Sequence, residues 1–310
     1  MRQTKTVNLQ RGSTLVAVLW IMAVMSLALV ATVKITSYQT DVAGSQMNGI
    51  DARQYADMGL NLASNPAVEE WDPILNWIDP ETGNSGFNVK ILSEGARFNI
   101  NFILFSEDKA LIRLILDEWG IDFDTSSEIA DALIDWIDTN DDVQLNGAEV
   151  EYYEGQGYLD RPFNRPFYNL DEMRLVRGMD IVEAANPNWR DWFTCWSSGG
   201  LDINEADARL IAVATESNIE EAIALVDIVD GPDGIRNTED DQPIDVASAL
   251  AQLGVVDPTG VIQARLNAND QVSRIESIGF VGAIRRKLVL VLNNRRQNPT
   301  ILDRREETIQ

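Results

Sequence analysis

No histidine occurs in this 310-residue chain, and cysteine occurs once, at Cys195. Without an imidazole the usual general base and the commonest transition-metal ligand are missing, which excludes Ser-His-Asp, Cys-His and zinc-hydrolase chemistry; no enzymatic activity is expected. A lone cysteine forms no intramolecular disulfide, and Cys195, beside Trp192 and Trp196, reads as a small packed apolar residue rather than a nucleophile. Basic residues are scarce too: 25 Lys and Arg face 49 Asp and Glu, for a net charge of −24. Such a surface repels phosphates at long range, so no nucleic-acid partner is expected and cations are the natural ligands. With 45% hydrophobic and 24% charged residues, the composition is that of a folded protein able to bury more than one core.

Against these absences stands one long apolar run, Gly12 to Val33, without a charge. At about 1.5 Å per residue it spans a bilayer core of roughly 30 Å as a helix. Arg2, Lys5 and Arg11 precede it with no acid, so the positive-inside bias leaves the start in the cytoplasm and sends everything after Lys34 outward. Three readings compete. A buried core helix lacks the polar face it would show to solvent. A cleaved signal peptide has a possible cut after Leu29-Val30-Ala31, leaving Thr32 first, but the run is long for one and lacks an A-x-A pattern. In the third, the run stays on the mature protein as an anchor.

The junction Arg11-Gly12-Ser13, a glycine between a basic head and an apolar run, resembles the cleavage site of type IV prepilins and type II secretion pseudopilins. The resemblance implies cutting between Gly12 and Ser13 by a prepilin peptidase, with methylation among the implied processing. Most pilins carry Glu at the fifth mature position. Here that position is Ala17, which lacks the carboxylate that would seek a partner inside the hydrocarbon. In that family the minor pseudopilin K is the member without this Glu and is placed at the filament tip.

Beyond the run, Lys34 to Ala63 keeps a helix-compatible pattern without proline, predicting one helix over 13–63 whose second half packs on a sheet. Alternation in Phe87–Leu92 and Arg97–Leu104 across Ser93–Ala96 predicts an antiparallel hairpin, and Val272–Val281 and Arg285–Asn293 read as two more strands. Between these sets, over 106–268, the periodicity is helical. Thr125 and Glu128 form a capping box, Asp171–Arg177 ends at Gly178, Asn204 could cap Glu205–Thr215, and Ile219–Val229 and Asp245–Leu253 follow. Residues 106–260 hold 35 Asp and Glu against 9 Lys and Arg, enough to account for the whole chain's negative charge. The expectation is an α+β, type IV pilin-like fold: a leader (1–12), the helix, sheet segments at 64–105 and 269–295, a large inserted all-α domain (106–268) and a flexible tail (296–310).

That order, with Ala132–Asp138, Asn146–Glu149, Tyr152-Tyr153, Asn169–Met179 and Leu201–Asn204, is similar to minor pseudopilin K, a pilin fold carrying a large helical insertion. The resemblance implies an inner-membrane, single-pass protein with a periplasmic domain. It would associate with minor pseudopilins I and J, start or cap the pseudopilus, and help export folded proteins. The alternative is a signal-peptide-bearing, soluble, calcium-stabilised periplasmic binding protein.

Two acidic loops invite Ca2+. Asp138, Asn140, Asp142, Gln144 (through its backbone), Asn146 and Glu149 occupy positions 1, 3, 5, 7, 9 and 12 of an EF-hand-like loop, with Val143 where an EF-hand needs Gly. In the second loop Asp230, Asp233, Glu239, Asp240 and Asp241 crowd around Gly231 and Gly234, and carboxylates so close repel without a cation. For each, a solvated acidic turn is the alternative. Trp119, Trp136, Trp189, Trp192 and Trp196 are spaced like core packing. Leu175–Met179 resembles the turn of a helix-hairpin-helix, which the insert's charge disfavours as a DNA contact.

Overall fold

The charge-free run builds the longest element. In the computed structural model, which describes residues 10–307, helix α1 (Gln10–Ala63) is unbroken for 54 residues, about 80 Å of rod. The segment from Thr14 is the one helix among the described residues that is long and apolar enough to cross a membrane, and its most apolar window packs against no other part of the chain. Arg2, Lys5 and the rest of 1–9 lie outside the described residues, as does the side chain of Ser13; the backbone of Gly12 and Ser13 falls in the first turn of α1.

The second half of α1 lies on a sheet because its inner face is made of small residues. Ala52, Ala56, Leu60 and Ala63 recur at helical spacing and are all buried, so the backbones come close. A Cβ on Gly279 would lie 1.9 Å from the Ala52 carbonyl oxygen, and one on Gly59 would lie 2.4 Å from Ser277 Oγ.

The sheet under the helix has five antiparallel strands: β1 (Asn76–Ile78), β2 (Ser85–Ser93), β7 (Val272–Val281), β8 (Ile284–Asn293) and β9 (Thr300–Glu307), side by side in that order. Phe87, Val89 and Ile91 of β2 and Leu288, Leu290 and Leu292 of β8 share one core with Ala56 and Leu60, as a two-residue period demands. Arg295 locks helix to sheet. Its buried guanidinium donates to the carbonyls of Ala63, Asn65 and Val68 at 3.0–3.2 Å, satisfying groups left open where α1 ends, and pairs with Glu70 at 2.8 Å.

Three expectations are corrected. The hairpin over 87–104 does not form: β2 pairs along its whole length with β7, 180 or so residues later in the sequence, and Asn99 caps a helix, α2 (Ile100–Phe105), in place of a second strand. Only Phe98–Asn99 (β3) is extended, pairing in parallel with β4 (Phe193–Thr194). The insert thus begins near Phe98, since Ile100, Ile103 and Leu104 join its core. The tail expected to be flexible forms β9, held against β8 from Lys287 to Asn293. It carries Glu307 into a cluster with Lys287 and Arg274 at 2.9 and 3.0 Å. Helix caps also shift. Asp122 rather than Thr125 caps α4 (Phe123–Ile137), and Asp207 rather than Asn204 caps α7 (Ala208–Thr215). Asn204 instead bridges Ile244 and Ala268.

The insert packs α3 (Lys109–Glu118), α4 and α7 with α5 (Val150–Gly155), α6 (Met179–Ala185), α8 (Ile219–Val229), α9 (Val246–Gln252) and α10 (Val261–Ala264) around a separate core. A short pairing of β5 (Leu201–Asp202) with β6 (Leu266–Asn267) closes it near the sheet. Trp136 and Trp189 are fully buried there, and Cys195 is buried with its thiol pushed up to about 12 by desolvation.

Candidate metal centre

Helix α4 is apolar where it meets the core, yet Asp131, Asp135 and its C-cap Asp138 recur at four- and three-residue spacing along one side. The loop after it folds back over that side. Asp135, fully buried, accepts from the backbone N–H groups of Gln144 (3.1 Å) and Ala148 (2.8 Å). Asp131 accepts from Asn146 N (3.0 Å) and from Lys109 Nζ (2.6 Å), which also reaches Gln144 Oε1 (2.9 Å). Gly147 permits this closeness, because a Cβ there would lie 1.8 Å from Asp135 Oδ2.

The folded loop delivers Glu149 to the N-terminus of α5, where it makes no capping bond. Its side chain is buried and both carboxylate oxygens lack a partner. Asp135, Asp138 and Glu149 each bring a carboxylate oxygen within 4.8 Å of the others, the one group of three such ligands among the described residues. Desolvation, then the Asp135 charge, pushes Glu149 up to about 7; desolvation pushes Asp135 up to about 6 against the two backbone donors, and raises Asp138 as well. Three carboxylates facing one another with two orphan oxygens form an all-oxygen donor set suited to a hard cation, and the residues fit Ca2+.

Of the six residues predicted for the first loop, Asp138 and Glu149 come together. Asn146 turns its amide to Asp131, and Asn140 accepts from Asp142 N at 2.7 Å. Asp142 is exposed and stands outside the group. Asp135 takes the third place. Its signal was an acid at helical spacing from Asp131 and Asp138 on an otherwise largely apolar helix, three residues before the loop.

The second loop follows a different logic. Asp230 pairs with Arg236 Nε at 2.7 Å, Asp233 Oδ1 accepts from Ile235 N, Asp240 accepts from Thr238 Oγ1 and Asp233 N, and Asp241 accepts from Asn237 N. The Thr238 hydroxyl holds Asp240 below its ordinary value, and Glu239 is exposed. Local donors satisfy these carboxylates, so they do not assemble into a comparable group.

Residues 96–186 match the family model described as type II secretion system (T2SS), protein K. Type II secretion system protein K of Klebsiella pneumoniae is 28% identical over 197 residues, 56% of this chain; the alignment spans 59% of that protein, less than two thirds of its length. A putative type II secretion system protein K of Escherichia coli K12 is 26% identical over 251 residues, covering 71% of this chain and 74% of its own. Among solved structures, a chain of the GspK-GspI-GspJ complex of enterotoxigenic Escherichia coli superposes with a TM-score of 0.58 at 19% identity, over 88% of this chain and 99% of that one. Residues 96–186 are thus similar in sequence to type II secretion system K proteins, and most of the chain shares the fold of a solved chain from the GspK-GspI-GspJ complex.

Proposed function

We propose that the chain is a minor pseudopilin at the tip of the type II secretion pseudopilus, where it initiates or caps assembly with minor pseudopilins I and J and helps export folded proteins across the outer membrane. The observation that carries this reading is an exposed apolar helix running without a break into a pilin-type helix-on-sheet unit whose β2 and β7 are separated by an insert that matches the protein K model over residues 96–186. The solved relative was captured in a complex with proteins I and J, which supports the same partners here.

In this reading prepilin peptidase cuts between Gly12 and Ser13, the apolar half of α1 holds the protein in the inner membrane, and the rest faces the periplasm. The cut after Gly12 trims only the first turn of α1, whereas a signal-peptide cut after Ala31 would remove nearly all of the apolar run, which favours retention. The helix later packs in the filament, while the bulky insert hinders a further subunit above. No catalytic role is assigned. Ca2+ held by Asp135, Asp138 and Glu149 would tie the end of α4 to the start of α5 and stabilise the insert by mass action. Co-expression of the full chain with its cognate I and J proteins, detergent extraction and affinity purification test the reading. A stoichiometric three-protein assembly is expected; a chain recovered without either partner contradicts it.

A further inference from the structure

The insert is strongly acidic, yet two of its arginines pair with no carboxylate among the described residues: Arg113, which lies over the Phe123 ring, and Arg161, which alone of the two has a buried nitrogen without an acceptor. Arg161 forms no ion pair and no hydrogen bond among the described residues, and its Nε–H is buried without an acceptor. Its one recorded contact of this kind is with the Tyr158 ring, 3.9 Å from the guanidinium carbon. With 35 acids against 9 bases over residues 106–260, what sets Arg161 apart is its buried N–H, because a buried cationic donor is costly unless paired.

Arg161 and Tyr158 line a pocket of about 290 Å³ with Tyr152, Arg174 and Arg177, and with one acid, Asp180, which is exposed at its edge. Arg174 is spent on Glu183 and Arg177 on Glu128, each at 2.8 Å, so Arg161 is the cation left for a ligand. The chain around the pocket shows apolar side chains to solvent. Leu159 is 83% exposed, and Leu145 is 93% exposed on the loop whose Asn146 and Gly147 carbonyls accept from Arg177.

We propose that this pocket receives an aspartate or glutamate side chain from an otherwise apolar segment of a partner polypeptide. The planar guanidinium offers its fork to the carboxylate, Tyr158 stacks behind it, and the exposed leucines meet the apolar flanks. A small free anion gains nothing from those flanks and meets the repulsion of the surrounding acidic domain, whereas a polypeptide offsets that repulsion with apolar contact. Four residues of the turn resembling a helix-hairpin-helix, Leu175 to Gly178, form one wall of this pocket, so the turn serves protein recognition rather than nucleic acid.

The test is fluorescence anisotropy on the full chain in lipid nanodiscs. The probes are a labelled, amidated pentapeptide alternating leucine with aspartate and glutamate, its asparagine and glutamine counterpart, and a labelled oligothymidylate. The acidic peptide is expected to bind at least tenfold more tightly than the neutral one. Arg161→Gln should abolish that preference and Arg161→Lys should retain part of it. Tyr158→Leu, at a half-exposed position, should weaken it without affecting folding, and it carries the test should Arg161→Gln fail to fold. Equal binding of the two peptides, a preference that survives Arg161→Gln or Tyr158→Leu, or tighter binding of the oligonucleotide overturns the proposal.

Discussion

Neutralising Glu149 should have opposite effects with and without calcium. Its carboxylate is buried with both oxygens unpaired and sits near Asp135 and Asp138, so ionising it in the folded protein is costly. A rise from 4.5 to about 7 corresponds to roughly 3 kcal/mol at about 1.4 kcal/mol per pH unit. The folded state holds this proton more tightly than the unfolded chain does. Without a cation, stability is therefore fully present below about pH 4.5 and falls as pH rises through about 7. Ca2+ bound among the three carboxylates would reverse the penalty by pairing with the ionised groups. With EDTA at pH 8, Glu149→Gln should raise the melting temperature, by roughly 6–14 °C on a scale of about 2–4 °C per kcal/mol. In millimolar CaCl2 the wild type should gain strongly at pH 8 and weakly at pH 5, and Glu149→Gln should gain little at either. Calorimetry of the full chain in detergent micelles reads all of these. A wild type indifferent to Ca2+ at pH 8, or a Glu149→Gln variant that responds to Ca2+ like the wild type, refutes the reasoning.

Four further outcomes follow from the packing. Arg295→Ala strips three carbonyls of their buried donor and leaves Glu70 without this partner; it should cost about 3–5 kcal/mol, seen as a lower urea midpoint. Gly279→Ala places a methyl against the Ala52 carbonyl and should cost roughly 1–3 kcal/mol, with faster proteolysis near the end of α1. Burial opposes the ionisation of Glu307, but Lys287, Arg274 and Arg305 hold it down to about 2. Its contribution is therefore present above about pH 4.5 and lost as pH falls toward 2, and Glu307→Gln should flatten that part of the acid-unfolding curve. Gly147→Ala should lower Ca2+ affinity by displacing Asp135, measured by titration calorimetry, and an unchanged dissociation constant would count against the loop geometry described above.

The parts of the fold written in long, regular patterns were legible in the sequence. A charge-free run of more than twenty residues can hardly be anything but a long helix, and the alternation in 272–281 and 285–293 can satisfy only a sheet. The 87–104 hairpin was misread because an alternating sequence does not say which partner a strand takes. Asn99, a strong helix cap, outweighed the local alternation, and β7 arrived from far along the chain to pair with β2. Strand β9 was hidden because Asp303–Glu307 is almost entirely charged, a composition typical of an exposed edge but equally of a loose tail. At the candidate metal centre the loop spacing named two of the three carboxylates that the structure brings together, Asp138 and Glu149, since both ends of a loop must meet. Asp135 lay outside that template, and Asn146 was lost to it because Asp131, one turn further back on α4, was the nearer acceptor.

The central claim is an anchor that is trimmed yet never released. Intact-mass measurement of the protein extracted from the inner membrane addresses it most directly. The account predicts a chain beginning at Ser13 that partitions with the membrane, and a Gly12→Ala variant that keeps its leader. A mature chain beginning near Thr32 and recovered free in the soluble periplasmic fraction would contradict it.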